Sequence, residues 1–192
     1  MSRPRTVEDA VVLDAASRVV VRDGPARLTL ARVAAEVGLS AATLVQRFGS
    51  KRDLLLAVAR RGARTLTEAF DAARAAHRSP LEALQAGLSG LTSPVATPEA
   101  MANSVAFLQI DLSDPAFHAE ALEAMLRMRE RIRELLDEAV AAGELRPADT
   151  GRLAGAVQNA YNGALISWAV YREGAIDDWL RTELDTLLAG FR

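Results

Sequence analysis

Half of the 192 residues are apolar, 25% are charged and none is cysteine, giving a net charge of −2. That much apolar matter is ample for a real core in one or two domains, and the absence of cysteine excludes disulfides and thiolate chemistry. No apolar run approaches the roughly 20 residues of a membrane span and the N-terminus lacks a signal-like apolar stretch, so a cytoplasmic protein without a membrane partner is expected.

Along the chain, helix signals recur and strand signals do not. Thr6 and Asp9 make a capping-box-like start for a helix to residue 23, with Val12, Ala16, Val19 and Val20 inward and Gly24-Pro25 as its stop. Thr29 is placed to cap a second helix over residues 30–37, which Gly38 ends while Leu39 folds back onto it. Ser40 caps a third helix through residue 48. Helices joined by so short a turn must cross steeply, as in a helix-turn-helix. Val33, Ala34, Val37, Leu39, Leu44 and Phe48 then form the small core between them. Ala41, Ala42, Thr43, Val45, Gln46 and Arg47 remain on the outer face, which carries no acid, and Gln46 and Arg47 suit base edges or phosphates.

Ser50 with Asp53 starts a long fourth helix to residue 76, with Leu54, Leu55, Val58, Gly62, Leu66, Ala69 and Phe70 at helical spacing. Ser79-Pro80, Thr97-Pro98 and Asp114-Pro115 are cap-plus-proline starts of helices ending near residues 91, 112 and 142. Gly143 closes the last of these. Pro147 and Asp149 introduce a helix to residue 171, ended by Gly174, and Asp177 starts a final helix through residue 188. The expectation is an all-α chain of about nine helices.

The helix over residues 149–171 is apolar nearly all round, so it must be covered on more than one side. Leu153, Val157, Ala160, Tyr161, Ala164 and Trp168 share one face. Gly155, Gln158, Asn162, Ile166 and Ala169 lie opposite, and with Leu184 and Leu187 of the last helix they are assigned to a homodimer interface. The alternative is a central helix of a monomeric bundle. Phe70, Asn103, Phe107, Gln109, Met125, Met128, Gln158, Tyr161 and Trp168 are the candidates for lining a small-molecule cavity. Such residues are ordinarily packing and nothing more, and the polar tips of Tyr161 and Trp168 would be satisfied by an effector or a backbone carbonyl alike. Two histidines, no phosphate-cradling glycine loop and no metal-spaced pair argue against an enzyme, a metal or a cofactor. A helical module that binds ligand or protein but no DNA is the remaining rival.

Charge is unevenly spread: residues 1–64 hold 12 Lys or Arg against 6 Asp or Glu, and the rest hold 11 against 19. A duplex attracts such a basic part because neutralised phosphates release counterions. Arg3 and Arg5 make either a short arm able to reach a groove or a solvated tail.

The run V-A-x-x-V-G-L-S from Val33, T-L-x-x-x-F from Thr43, and Ser50, Lys51 and Asp53-Leu54-Leu55 resemble the DNA-binding domain of the tetracycline-repressor (TetR) family, over roughly residues 6–62. The resemblance implies a DNA-binding domain over residues 1–50, extending into the fourth helix to about 62, and a ligand-binding and dimerisation domain over 51–192. It implies Ser40 to Phe48 as a recognition helix in the major groove, Lys51 gripping a phosphate, Thr29 near the backbone, and repression of a near-palindromic operator by a homodimer that an apolar or amphipathic effector releases. Two positions depart from the pattern. Ala41 and Val45 stand where the family usually has a lysine and a tyrosine that touch the DNA backbone, which leaves affinity to Arg47, Lys51, Arg52 and the N-terminal arm.

Overall fold

The computed structural model describes residues 7–192; Arg3, Arg5 and Thr6 lie outside the described residues. Among these are nine α-helices and no strand: α1 (Asp9–Asp23), α2 (Leu30–Glu36), α3 (Ala41–Phe48), α4 (Lys51–Ala76), α5 (Pro80–Thr92), α6 (Pro98–Ser113), α7 (Pro115–Ala141), α8 (Thr150–Tyr171) and α9 (Ile176–Leu188). The polar caps fix most boundaries. Thr29, Ser40, Ser50, Ser79, Thr97 and Asp149 each accept the backbone N–H three residues on, at 3.0–3.2 Å, satisfying a first-turn amide that has no partner within its helix.

Two starts and one turning residue differ from expectation. The first helix begins at Asp9 behind Glu8, whose side chain caps nothing. The last begins at Ile176 behind Ala175, with Asp177 inside the first turn, where its charge favours the helix dipole without capping. Arg172, not Gly174, turns the chain out of α8, at φ +58°, with its N–H on the Trp168 carbonyl.

Burial falls into two clusters. The first joins α1, Leu28, Val33 and Ala34 of α2, Leu44 of α3 and Leu54, Leu55 and Leu56 of α4, and is closed by Phe117 from α7. The second gathers Phe70, Leu84, Leu88, Ile132, Leu136, Val157, Trp168 and Leu180 from α4, α5, α7, α8 and α9. Two helices reach both: α4 gives Leu54, Leu55 and Leu56 to the first and Phe70 to the second, and α7 gives Phe117 to the first and Ile132 and Leu136 to the second.

The contact of α1 with α6 is specific. Asn103 donates its amide to the Val21 and Arg22 carbonyls at 2.8 and 3.1 Å, capping the C-terminus of α1 from a distant helix. Gly24 makes room for it. Its φ of +85° suits glycine, and a Cβ there would lie 2.8 Å from Asn103 Oδ1.

Candidate nucleic-acid interface and neighbouring cavities

The α2–α3 unit is built by a turn that only a short, left-handed residue makes cheaply. Gly38 sits at φ +69°, and Leu39 then returns its N–H to the Ala34 carbonyl at 2.9 Å, packing against the first core cluster. Leu44 is the one fully buried residue of α3. Ala41, Ala42, Val45 and Gln46 are exposed on the opposite side; Thr43 is half-buried, its hydroxyl 2.8 Å from that of Ser40. Thr29 spends its hydroxyl as the α2 cap.

Among the described residues, the three cations expected to carry DNA affinity are each engaged inside the chain. Arg47 is half-buried and pairs with Asp9 of α1, its Nε donating to Oδ1 at 2.8 Å, so it is not the free group that the sequence suggests. Lys51 donates from Nζ to the Ala26 carbonyl at 2.7 Å. Arg52 forks onto Asp114 at 2.7–3.2 Å and lies 5.6 Å from the Phe117 ring centre. The Arg52 guanidinium holds the Asp114 carboxyl below the usual range. These ties differ in meaning. An exposed ion pair such as Arg47–Asp9 contributes at most about 1 kcal/mol, so a phosphate can take over the guanidinium cheaply. The Lys51 bond costs it none of its charge, and exposed Arg27 lies next to Ala26 in the same loop. Arg27 is a cation that sequence reasoning missed, because nothing in the motif marks a loop residue.

The expected ligand cavity does not form as drawn. Asn103 is the α1 clamp. Phe70 packs against Gly87 so closely that a Cβ there would meet its ring at 2.7 Å. Met128 is buried in the second core cluster, and Met125 and Gln109 face solvent. Gln158, fully buried, receives Arg129 Nε at 3.1 Å and donates to the Met125 carbonyl at 2.8 Å, so neither a ligand nor a second copy can reach it. Trp168 donates to the Gly174 carbonyl at 3.2 Å. Tyr161 is packed among the same helices, and burial pushes its hydroxyl pKa up.

Of the candidates, Phe107 alone lines the cavities along α1. One of 270 Å³ is bounded by Ser17, Val58, Ala59, Gly62, Phe107, Asp111, Glu120, Ala121 and Ala124, and a second of 190 Å³ shares Ser17, Val58 and Phe107 with it. A third of 630 Å³ lies between α1, α4 and α5, with Ser17 and Gly62 again on its wall and Leu66, Ala69 and Leu91 beyond. These three cavities thus lie between the two core clusters; another, of 290 Å³, lies apart from them beside Gly174, Trp179 and Glu183.

Of the proposed interface residues, Leu184 is buried within its own chain and, like Gln158, cannot meet a partner. Gly155, Asn162, Ala169 and Leu187 are half-buried and Ile166 is half-exposed. Val170 is 74% exposed, and Leu122 and Leu126 of α7 are exposed too; the sequence hid them because their neighbours carry charge.

Asp111 is the other residue that sequence reasoning missed. Burial pushes its carboxyl up to about 6. The ordinary carboxylate value applies in the unfolded chain, so between pH 4 and 6 the folded state binds more protons and stability falls as pH rises through that window. The two-unit shift is worth about 3 kcal/mol at full weight, and solvent screening at a half-buried site reduces it to about 1. Asp111→Asn is therefore expected to raise Tm at pH 7.5 by about 2–4 °C and to change nothing near pH 4. An equal shift at both pH values would refute the burial of this charge.

Residues 12–58 match the family described as bacterial regulatory proteins, tetR family. No curated protein sequence matches the chain. Among solved structures, the TetR-family transcriptional regulator from Cytophaga hutchinsonii is 17% identical with a TM-score of 0.76, and the match covers 98% of each chain. SmeT, the repressor of the Stenotrophomonas maltophilia multidrug efflux pump SmeDEF, is 21% identical with a TM-score of 0.68 over 97% of this chain and 91% of its own. A protein from Saccharomonospora viridis in complex with choline is 22% identical with a TM-score of 0.74 over 95% and 96%. At these identities the structural matches establish a shared fold along almost the whole chain.

Proposed function

We propose that the chain, whose residues 12–58 match the bacterial TetR regulatory proteins, represses transcription as a homodimer on a near-palindromic operator and is released by a small molecule. The observation that carries this reading is the α2–α3 unit, whose second helix is anchored by Leu44 and presents an acid-free face of Ala41, Ala42, Val45 and Gln46. A face of that kind fits a major groove, where Gln46 can pair with a base edge and Thr43 with a base or its methyl group. Residues 1–50 with the start of α4 would be the DNA-binding unit and the remainder the dimerising, ligand-responsive one.

Release by a small molecule draws support from where the space is. Three cavities lie between α1, α4, α5, α6 and α7, so an occupant there would act on the angle between the DNA-binding unit and the rest. A ligand shifts such an equilibrium only by its differential affinity for the two states, and about 1–3 kcal/mol suffices. Repression is the role of SmeT and choline is held by the Saccharomonospora protein, which favours both halves of the proposal.

Titration of DNA from upstream of the chain's own gene, followed by fluorescence anisotropy, tests it. Gln46→Ala is expected to cost about 1–3 kcal/mol on the operator and nothing on unrelated DNA, while Lys51→Ala should weaken all sequences alike and flatten the salt slope by about one unit. Equal affinity for operator and unrelated DNA in the unaltered protein would overturn the regulator reading.

A further inference from the structure

We propose that the 270 Å³ cavity between α1, α4, α6 and α7 is a binding site for a small organic cation, a primary ammonium or amidinium on a short apolar body, with Asp111 as its counter-charge. Along the seam where α4 meets the rest of the chain, three neighbouring carboxylates each have an arginine of α4: Asp114 faces Arg52 at 2.7 Å, Glu120 faces Arg60 at 2.8 Å and Asp14 faces Arg61 at 2.6 Å. Asp111 has none. Its Oδ1 is buried and receives no hydrogen bond from any described residue, yet the residue lies on the cavity wall. A neutral donor can satisfy lone pairs but not the charge, and a carboxylate held away from water is stabilised chiefly by a cation in contact.

The remaining walls set the body of the ligand. Phe107 lies one turn before Asp111 on the same face of α6, and its ring is held edge-on to Phe117 at 6.1 Å. Val58, Ala59, Ala121 and Ala124 complete an apolar lining. An ammonium at Asp111 thus meets one carboxylate oxygen, an aromatic ring that tolerates positive charge, and apolar surface for a few carbons. An anion would meet Asp111 and Glu120, and a large neutral molecule would leave the charge unanswered.

Binding stands on this geometry alone; the further statement that occupancy alters DNA affinity rests on the proposed control by the cavities along α1. Benzylamine, an ammonium at pH 7.5, is the probe, with benzyl alcohol and benzoate as neutral and anionic controls of the same shape. Isothermal calorimetry on the full chain is expected to show saturable binding of benzylamine, weaker by about tenfold or more for each control. Asp111→Asn should abolish that preference while keeping a cooperative melt, and Ala121→Phe, which fills the cavity and leaves Asp111 in place, should remove binding as well. Benzyl alcohol binding as well as benzylamine, undiminished binding in Asp111→Asn, or no saturation up to roughly 10 mM would each overturn the site. Saturable, Asp111-dependent binding that leaves operator affinity unchanged would support the cation site and overturn the control reading instead.

Discussion

Replacing Leu44 by Ala is expected to remove operator binding and to cost about 2–5 kcal/mol of stability. The reason lies in how little holds α3. The helix has eight residues, too few to stand alone, and Leu44 is its one fully buried side chain, set among Val33, Ala34 and Leu54. Its other ties are the Ser40 cap, the half-buried ring of Phe48 and the Arg47–Asp9 pair, and exposed or capping interactions of that kind contribute about 1 kcal/mol each. Truncating Leu44 therefore removes the largest single contribution to the position of the recognition helix. Val45→Ala, one residue on and 51% exposed, serves as the control and should shift stability by no more than about 0.5 kcal/mol. Chemical denaturation beside anisotropy on the operator checks both. A Leu44→Ala protein that melts normally and binds DNA would mean that α3 is positioned from elsewhere.

The helices were legible because each begins with a residue that can do only one thing well there. Ser50 followed by Asp53, or Thr97 followed by proline, states a start in two letters, and the geometry agrees: Ser50 both accepts the Asp53 amide and donates to its carboxylate at 2.6 Å. Ends without such chemistry were less readable. Arg172 carries a left-handed φ that usually marks glycine, so the sequence reads the end at residue 171 correctly but points to Gly174 as its turning residue. The first start was misplaced because Glu8, not a capping residue, precedes α1.

The site was legible only where it is local. The turn at Gly38 and the outer face of α3 follow from residues a few positions apart. Partners far along the chain do not. Nothing near Arg47 announces Asp9, and nothing near Asn103 announces the α1 carbonyls, yet these contacts decide which polar groups are free. Gln158 shows the limit of a helical wheel. It falls on the side opposite Tyr161, as an interface residue should, but Arg129 and the Met125 carbonyl bury it there, because α7 covers that face too. Asp111 escaped notice for the converse reason. An acid in a helix is ordinarily solvated, and its lack of a cation is a property of the fold.

Ile166→Glu is expected to convert a dimer of twice 20.6 kDa into monomer, and to lower operator affinity by a factor of about 10² to 10⁴ as the second half-site contact is lost. The proposed interface is the outer side of α8, where Ile166 is half-exposed, Val170 is 74% exposed, and Gly155 and Gly163 leave room for close approach. An exposed apolar face of this kind is best covered by a copy of itself. In a two-fold assembly the substitution enters twice, and each glutamate would be buried against apolar surface with no cation near it, at a cost of several kcal/mol. Monomers could still read single half-sites, since two recognition helices must sit about 34–36 Å apart to read successive grooves and one chain supplies a single helix. The contrast with Leu184→Glu makes the test specific. Leu184 is packed inside its own chain, so that variant should lose its fold, whereas Ile166→Glu should keep the thermal transition of the monomer and lose only mass. Light scattering, a melting curve and anisotropy on the operator separate these outcomes. A stable Ile166→Glu dimer with full operator affinity would exclude the α8 face as the interface.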